Sequence, residues 1–163
     1  VIKPAKLKTL VNNTLSKLKK NRISDGAATK KDILKLVNKM QKSMSAIKKL
    51  EKKNSLQMKK RFQRYKKELD IKGKDLNMTE IFATLGKSDI NEEVVRFDSH
   101  LGLVANLIKS KNNIGKKLDF YTQEMLREAN TMSSKALISE IKNEAVDIKS
   151  SIERMKEHAQ NIE

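Results

Sequence analysis

The chain has 163 residues, 36 Lys and Arg against 20 Asp and Glu, and a formal net charge of +16. It contains no cysteine, which excludes disulfides and thiolate metal sites and is compatible with a reducing compartment. The length excludes a large enzyme fold, and neither a run of roughly 20 apolar residues nor a signal peptide is recognisable, so we expect a cytoplasmic protein with no membrane partner.

The charge differs between the two halves of the chain. Residues 1–74 hold 24 Lys and Arg against 5 Asp and Glu, whereas residues 75–163 hold 12 against 15. Because lysine and arginine bind phosphates without reading sequence, a nucleic acid is the expected partner of the basic half. A lysine-rich composition without a phosphate partner and an anionic membrane surface are the two alternatives.

Residues 1–74 are predicted to form a basic helical arm. Apolar residues spaced by three and four predict a first helix over residues 5–20, which the SDGA sequence at residues 24–27 would end. A second helix is predicted from Thr29 onward. Its apolar series is interrupted at residues 52–55, which indicates either a helical hairpin or one long helix with a shifted register. Asn54 and Ser55 favour the hairpin, because both are common turn residues.

Residues 75–163 are predicted to form a C-terminal helical bundle that carries the candidate active-site motifs. A short helix is expected over residues 76–85, followed by helices over residues 88–110 and 115–132 and by a last helix after Ser134. Each of the last three has an apolar stripe at helical spacing, which favours packing into a bundle. The predicted fold is therefore all-α, a helical bundle with a long, basic helical-hairpin arm.

Acidic and basic residues lie beside two of these stripes. Four of them share about 60° of arc on the helix over residues 88–110: Asp89, Glu93, Arg96 and His100. On the next helix Glu124 and Glu128 are one turn apart, where like charges repel unless a cation joins them. A divalent ion, Mn²⁺ or Mg²⁺, between these two glutamates and Glu93 and His100 is one interpretation. A salt-bridge cluster that only locks helices together is the other, and the spacing alone favours it.

Motifs of several enzyme classes are absent from the sequence. It has no P-loop, no HExxH, no GxSxG and no Cys/His array, so P-loop nucleotide hydrolysis, zinc proteolysis and serine hydrolysis have no support. The 4 Phe and 2 Tyr are not arranged as a stacking platform, so phosphate contacts should dominate over recognition of single-stranded bases.

Three sequence blocks resemble the YicC/YloC family of bacterial endoribonucleases. NRISDGAATKKDI at residues 21–33 is similar to the family's R..EG..L..D segment, and KSDINEEVVRFDSHL at residues 87–101 to its K.DI.EE..R..SHL. GKKLDFYTQEMLREANTMSSKA at residues 115–136 resembles GRKLDFL.QEM.RE.NT.GSKA, and the terminal QNIE is also typical of the family. The resemblance covers nearly the whole chain, with the blocks in the family's order.

The resemblance implies a metal-assisted RNA endonuclease in a ring-like oligomer, a hexamer, with helical arms that close on RNA. It also implies an N-terminal α/β domain ahead of this region, so we expect the chain to be a C-terminal part whose isolated activity could be lost. Asp25, Thr79, Leu126 and Ser133 depart from the family pattern, and the last two lie in the site segment. The positions that fall on family motifs are Glu80, Asp89, Glu92, Glu93, Arg96, His100, Asp119, Gln123, Glu124, Arg127, Glu128, Asn130 and Lys135.

The leading hypothesis is the C-terminal part of a metal-dependent endoribonuclease that clamps RNA through its phosphates. The predicted RNA-binding residues are Lys48, Lys49, Lys59, Lys60, Arg61, Arg64 and Lys135. The predicted catalytic residues are Glu93, Arg96, His100, Glu124, Arg127 and Glu128. Glu93, His100, Glu124 and Glu128 would be metal ligands, with Arg96 or Arg127 as the phosphate clamp.

Two alternatives stay open at this point. In a rival mechanism His100 is a general acid/base that acts through the ribose 2′-OH. In a rival function the chain is a noncatalytic RNA-binding or oligomerisation module, and its acids and His100 only hold helices together.

Overall fold

The computed structural model describes residues 4–71, 89–110 and 114–160. Four helices account for nearly all of them: α1 (Pro4–Ile71), α2 (Asn91–Leu107), α3 (Gly115–Lys135) and α4 (Ser139–Gln160). Within those ranges there is no strand, so the prediction of an all-α fold is confirmed. The predicted helix over residues 76–85, with Glu80, lies outside the described residues.

The four helices form an up-down-up-down bundle. α1 packs against α2 and α4, and α3 packs against the same two helices, so each helix lies beside two neighbours. Ion pairs give the directions: Lys39 of α1 meets Asp147 of α4, while Lys53 meets Glu140, so the two helices are antiparallel. The short connection at residues 136–138 makes α3 and α4 antiparallel as well.

The predicted apolar stripes form the core. Phe97 is completely buried at its centre, and stripe residues of all four helices surround it. In α4 every residue of the predicted stripe is buried: Ile141, Ala145, Ile148, Ile152, Met155 and Ala159. In α1 the buried series starts at Ile33 and its last apolar member is Ile47. Regular three/four spacing therefore predicted which faces are buried in the bundle.

The predicted helix ends at the SDGA sequence and at residues 52–55 are wrong. α1 is one helix of 68 residues, about 100 Å long at 1.5 Å per residue, and it passes through both the SDGA sequence and residues 52–55. A glycine inside a helix costs only about 0.5–1 kcal/mol, and Gly26 is followed directly by Ala27 and Ala28, the residue type with the highest helix propensity. Thr29 does not cap a new helix, because its hydroxyl donates to the carbonyl of Asp25 one turn earlier.

Asn54 explains why the predicted hairpin is wrong. The residue is buried inside α1, and its side-chain Oδ1 accepts a hydrogen bond of 2.9 Å from the backbone N–H of Leu137. Leu137 lies in the connection between α3 and α4, which places its N–H outside any helix ladder. The amide that was interpreted as a turn former instead pairs a backbone donor that would otherwise be buried without an acceptor.

α1 extends beyond the bundle at both ends. Residues 4–28 are exposed throughout, including Leu7, Leu15 and Leu18 of the predicted first stripe. Residues 33–54 belong to the bundle core, although they fall within the 1–74 arm of the predicted domain division, and that division stays a prediction. No helix in the described part of the chain is both long and apolar enough to cross a membrane.

Candidate active site between α2 and α3

The polar residues that the sequence singled out lie where α2 packs against α3. At the start of α2, Asp89 Oδ1 accepts a hydrogen bond of 3.0 Å from the backbone N–H of Asn91, which ties down a donor of the first helical turn. The apolar stripe of α2 faces the core, so the residues at its edge face α3. Three of the edge residues contact α3 through side chains: Glu93, Arg96 and His100.

Glu93 and Lys135 form a largely buried ion pair. Lys135 Nζ donates to Glu93 Oε1 at 2.8 Å, and the side chains are only 26% and 8% exposed for Lys135 and Glu93 respectively. Lys135 is the last residue of α3, where a cation also favours the helix C-terminus. The second carboxylate oxygen, Glu93 Oε2, is buried and has no hydrogen-bond partner. A buried oxygen of this kind is rare, and it calls for an explanation such as strain, a bound ligand or a catalytic role.

Arg96 supplies a cation for one of the two glutamates of α3, Glu128. Its Nη1 lies 3.9 Å from Oε1 of Glu128, which is buried, while its Nη2 donates to Glu92 on its own helix. The guanidinium is itself 59% exposed, so it keeps N–H groups directed to solvent. Arg96 is therefore anchored on two carboxylates and still accessible to a phosphate.

His100 lies one further turn along the same edge of α2. Its ring centroid is 6.0 Å from that of Tyr121 on α3, at an interplanar angle of 44°. The ring nitrogen Nδ1 is buried and has no hydrogen-bond partner. The contact of Tyr121 with His100 could not be read from the sequence, since the two residues are separated by 21 positions and a helix connection.

The metal-ligand set predicted from the sequence is not assembled within one chain. In the described ranges, no group of three or more His, Asp and Glu side chains is placed to hold a metal ion. The facing helices place Lys135 and Arg96 against Glu93 and Glu128, and the four-ligand set stays a prediction.

Glu93 alone still has the chemistry of a ligand for Mn²⁺ or Mg²⁺. Carboxylate oxygen is the donor these ions prefer, and its Oε2 is unpaired. Mg²⁺ in phosphate-handling sites is commonly held by one or two carboxylates, with water and substrate phosphate in the other positions. Oε2 therefore offers one ligand position, and no group of three ligands surrounds it in the described ranges.

The remaining residues of the family motifs are more dispersed. Glu124 is half-buried and Arg127 is exposed, and neither forms an ion pair with another residue described by the structure. On the other side of α3, Asp119 accepts a hydrogen bond of 2.9 Å from Gln123, one turn away, and Asn130 is exposed. The structure thus unites Glu93, Arg96, His100, Glu128 and Lys135 at one helix contact.

A basic groove lies where α1 passes the connection between α3 and α4. Its volume is about 520 Å³, and its lining residues are Gln57, Lys60, Arg61, Arg64 and Leu137. Leu137 is two residues from Lys135, so the groove and the Glu93–Lys135 pair share one end of the bundle. Three of the seven predicted RNA-binding residues are therefore brought together in one concave surface.

Two other predicted RNA-binding residues have acidic partners. Lys48 Nζ lies 2.8 Å from Asp98 Oδ2 of α2, and Lys135 is paired with Glu93. Lys49 and Lys59 are exposed on α1, and Lys59 lines a second groove next to Leu56. The assignment of these residues and of Lys135 to RNA binding stays a prediction.

Residues 40–163 match the family model described as "Endoribonuclease YicC-like, C-terminal". The chain belongs to this family. A probable endoribonuclease YicC of Clostridioides difficile (strain 630) is 49% identical over 77 residues, which are 47% of this chain and 26% of that protein. A probable endoribonuclease YicC of Haemophilus influenzae is 41% identical over 75 residues, 46% of this chain and 26% of that protein.

The matched segments cover about a quarter of each of these relatives. The YicC-like region at residues 40–163 nonetheless includes all of α2, α3 and α4 and every polar side chain of the α2–α3 contact. The resemblance to the family is thereby confirmed as family membership, and the first motif block, at residues 21–33, lies outside the matched region.

Proposed function

We propose that the protein is the helical part of an endoribonuclease that holds RNA through its phosphates and hydrolyses phosphodiester bonds at the α2–α3 contact. One observation carries the proposal: two buried polar atoms, Glu93 Oε2 and His100 Nδ1, lack partners on the same edge of α2. A contact that only locked two helices would satisfy such atoms, because leaving one buried and unpaired costs about 1–3 kcal/mol. The names of the two relatives agree with this reaction.

RNA would be held by the basic groove of α1. Lys60, Arg61 and Arg64 lie within one helical turn and line a concave surface beside Leu137. Their side chains neutralise phosphates, and release of the phosphate counterions drives binding that depends strongly on salt. This groove adjoins the end of the bundle where Glu93 is paired with Lys135, so RNA in the groove continues toward the candidate active site.

At the α2–α3 contact each side chain has a distinct role. Arg96, anchored by Glu92 and Glu128, binds the phosphate that is cleaved. His100 exchanges a proton with the attacking or the leaving oxygen through Nδ1. Glu93 would hold the divalent ion, Mn²⁺ or Mg²⁺, through Oε2. When bound, the ion supplies positive charge to the phosphate and lowers the pKa of bound water.

Self-association completes the proposal. The resemblance implies a homo-oligomer, a hexamer, and the exposed Leu7, Leu15 and Leu18 of α1 support contact with further protein. A location in the cytoplasm belongs to the same proposal.

An assay of labelled RNA cleavage by the full-length protein tests the function. We expect cleavage with Mn²⁺ or Mg²⁺, loss with chelator, and a drop of about 10²–10⁴-fold in Glu93→Gln and His100→Ala. His100→Ala should melt close to wild type, whereas Glu93→Gln should lose stability because it breaks the pair with Lys135, so cleavage by Glu93→Gln is measured at a temperature where circular dichroism shows it folded. Leu103→Ala, which changes an exposed residue of α2, is the control and should cut normally.

Two results would redirect the assignment. Products with a 2′,3′-cyclic phosphate would favour attack by the ribose 2′-OH with His100 as general acid/base. RNA binding without cleavage in wild type would make the chain a noncatalytic RNA-binding module.

A further inference from the structure

Phe120 is the exposed end of a series of three rings that crosses the α2–α3 contact. The His100 ring lies 6.0 Å from that of Tyr121, and the Tyr121 ring lies 5.5 Å from that of Phe120 in an edge-to-face arrangement. Both centroid distances fall in the range of favourable aromatic pairs. Because the series joins two helices, the positions of the aromatic residues in the sequence do not reveal it.

The ring of Phe120 is open to solvent and yet held in place. It is 56% exposed, although α3 buries apolar residues such as Leu118 and Met125 completely. Single exposed apolar residues are common, and Val146 of α4, at 57%, is one of them. Phe120 differs because its ring packs on that of Tyr121. A ring that is already oriented loses little conformational entropy when a flat ligand stacks on it.

Cationic side chains surround Phe120 on α3. At 100° per residue, Lys116 and Arg127 lie within about 40° of Phe120 around the helix, and Lys117 within about 60°. These three cations are exposed, and none forms an ion pair within the described ranges. Glu124 is the acid on the same side and is half-buried, so the cations outnumber it. The surface around the ring therefore attracts a polyanion.

RNA is a polyanion that also carries flat rings. Unpaired bases stack on aromatic side chains, whereas the bases of a duplex are already stacked on neighbouring pairs. Arg96, which is proposed to bind the cleaved phosphate, lies one turn before His100 on α2, about 6 Å along the helix. The ring series is thus next to the phosphate site along the same helix contact.

We propose that Phe120 stacks against one unpaired base of the RNA, beside the phosphate that Arg96 binds, and so selects single-stranded over paired RNA at this point. The inference rests on the RNA binding of the proposed function, and it adds one base contact to the phosphate contacts expected from the sequence. Lys116 and Arg127 contact neighbouring phosphates. Any base fits, because every base has a π-face.

Binding of two RNA probes by the full-length protein tests the stacking role. One probe is a single-stranded oligouridylate with one 2-aminopurine, whose fluorescence falls when the base stacks, and the other is a fully paired, GC-rich RNA duplex. We expect Phe120→Ala to weaken binding of the single-stranded probe about 5- to 100-fold and to remove the quenching on binding. Binding of the duplex should change less than about twofold, because its bases cannot reach the ring.

Three further variants show whether the aromatic face itself is required. Phe120→Leu keeps an apolar side chain without a π-face and should weaken binding as Phe120→Ala does, whereas Phe120→Trp should bind like wild type. Val146→Ala removes a similarly exposed apolar residue and should bind both probes normally. Because residue 120 is exposed, its variants should melt within about 4 °C of wild type.

The dependence of binding on salt separates the stacked ring from the phosphate contacts. Phe120→Ala should keep the wild-type slope of log Kd against log salt for the single-stranded probe, because no phosphate loses its counter-charge. Lys116→Ala should reduce that slope by about 0.7, the contribution of one phosphate contact on a single strand.

The outcomes separate this inference from the function on which it rests. Phe120→Ala that binds the single-stranded probe like wild type, or that weakens both probes equally, overturns the stacking role alone. Phe120→Ala that alters sedimentation without altering RNA affinity assigns the ring to a contact between copies of the chain, and it also overturns stacking. Wild type that binds neither probe overturns the RNA binding of the proposed function, and the stacking role with it.

Discussion

Charged side chains join α1 to α4 and α2 to α3 at similar distances but in opposite environments. Between α1 and α4, Lys39–Asp147 and Lys53–Glu140 are 3.1 Å and 2.8 Å apart, and more than half of each side chain is exposed. Between α2 and α3, the 2.8 Å pair of Lys135 with Glu93 is mostly buried. Distance alone therefore does not distinguish a surface contact from a site.

The two environments have different energetic consequences. An exposed ion pair contributes about 0–1 kcal/mol, because water and salt screen it. A buried carboxylate has lost its hydration and depends on its protein partner, so removal of that partner is far more costly than the pair's net contribution. Burial of Glu93 at the α2–α3 contact thus costs stability.

Lys135→Ala tests the comparison with the largest expected effect. The substitution leaves the Glu93 carboxylate buried without its cation, and we expect the free energy of unfolding to fall by about 2–4 kcal/mol. Chemical denaturation followed by circular dichroism measures the change.

Lys53→Ala is the matched control and should change the free energy of unfolding by less than about 1 kcal/mol. The double variant Glu93→Met/Lys135→Met should recover most of the loss, since apolar residues of similar size carry no desolvation cost. Equal losses in Lys135→Ala and Lys53→Ala would remove the distinction between the two contacts.

Asn54→Ala should have the next largest effect on the free energy of unfolding. It acts at the connection between α3 and α4. The side chain accepts the N–H of Leu137, and its removal leaves a buried backbone donor unpaired. We expect a loss of about 1–3 kcal/mol, measured by the same denaturation.

Asn38→Ala, at an exposed position of α1, is the control and should be neutral or slightly stabilising, because alanine is the better helix former. A turn at residue 54, as the sequence indicated, would instead make Asn54→Ala mild.

Acid should remove the smallest contribution, that of the exposed Lys53–Glu140 pair. The hydrogen bond from Lys53 lowers the pKa of Glu140 below 4.5, and a backbone hydrogen bond adds to the effect. A lowered pKa contributes stability above the unfolded-state pKa, and the contribution disappears as the pH falls through the folded-state value. Wild type should therefore melt slightly above Lys53→Met at neutral pH, and the difference should vanish in acid. A constant difference across that range would contradict the assignment.

The bundle could be predicted from the sequence because its buried apolar residues recur at helical spacing. Stripes such as Val94, Phe97 and Leu101 report which face is buried without reference to a partner. The helix ends of α1 could not be predicted in the same way. The turn preference of Asn54 is real, but a tertiary hydrogen bond to Leu137 outweighs it.

The polar residues of the α2–α3 contact could be named from the sequence, but their pairing partners could not. Glu93, Arg96 and His100 share a helix edge that the sequence shows directly, whereas Lys135 is 42 positions from Glu93 and reaches it only because α2 and α3 are antiparallel. A lysine in a basic chain has no local sign that it is buried, so it was assigned to RNA. The dispersal of Glu124 likewise depends on helix rotation, which spacing does not report.

Because α1 is one continuous helix, it connects two surfaces that do not contact each other, the exposed leucines and the basic groove. Residues 4–28 and the basic groove lie on one continuous helix, and the middle of that helix packs into the bundle. A second protein bound to Leu7, Leu15 and Leu18 at one end would therefore also set the orientation of the basic groove, roughly 60 Å away by the rise per residue. A change in how the subunits assemble would then also change the direction of RNA bound in the groove.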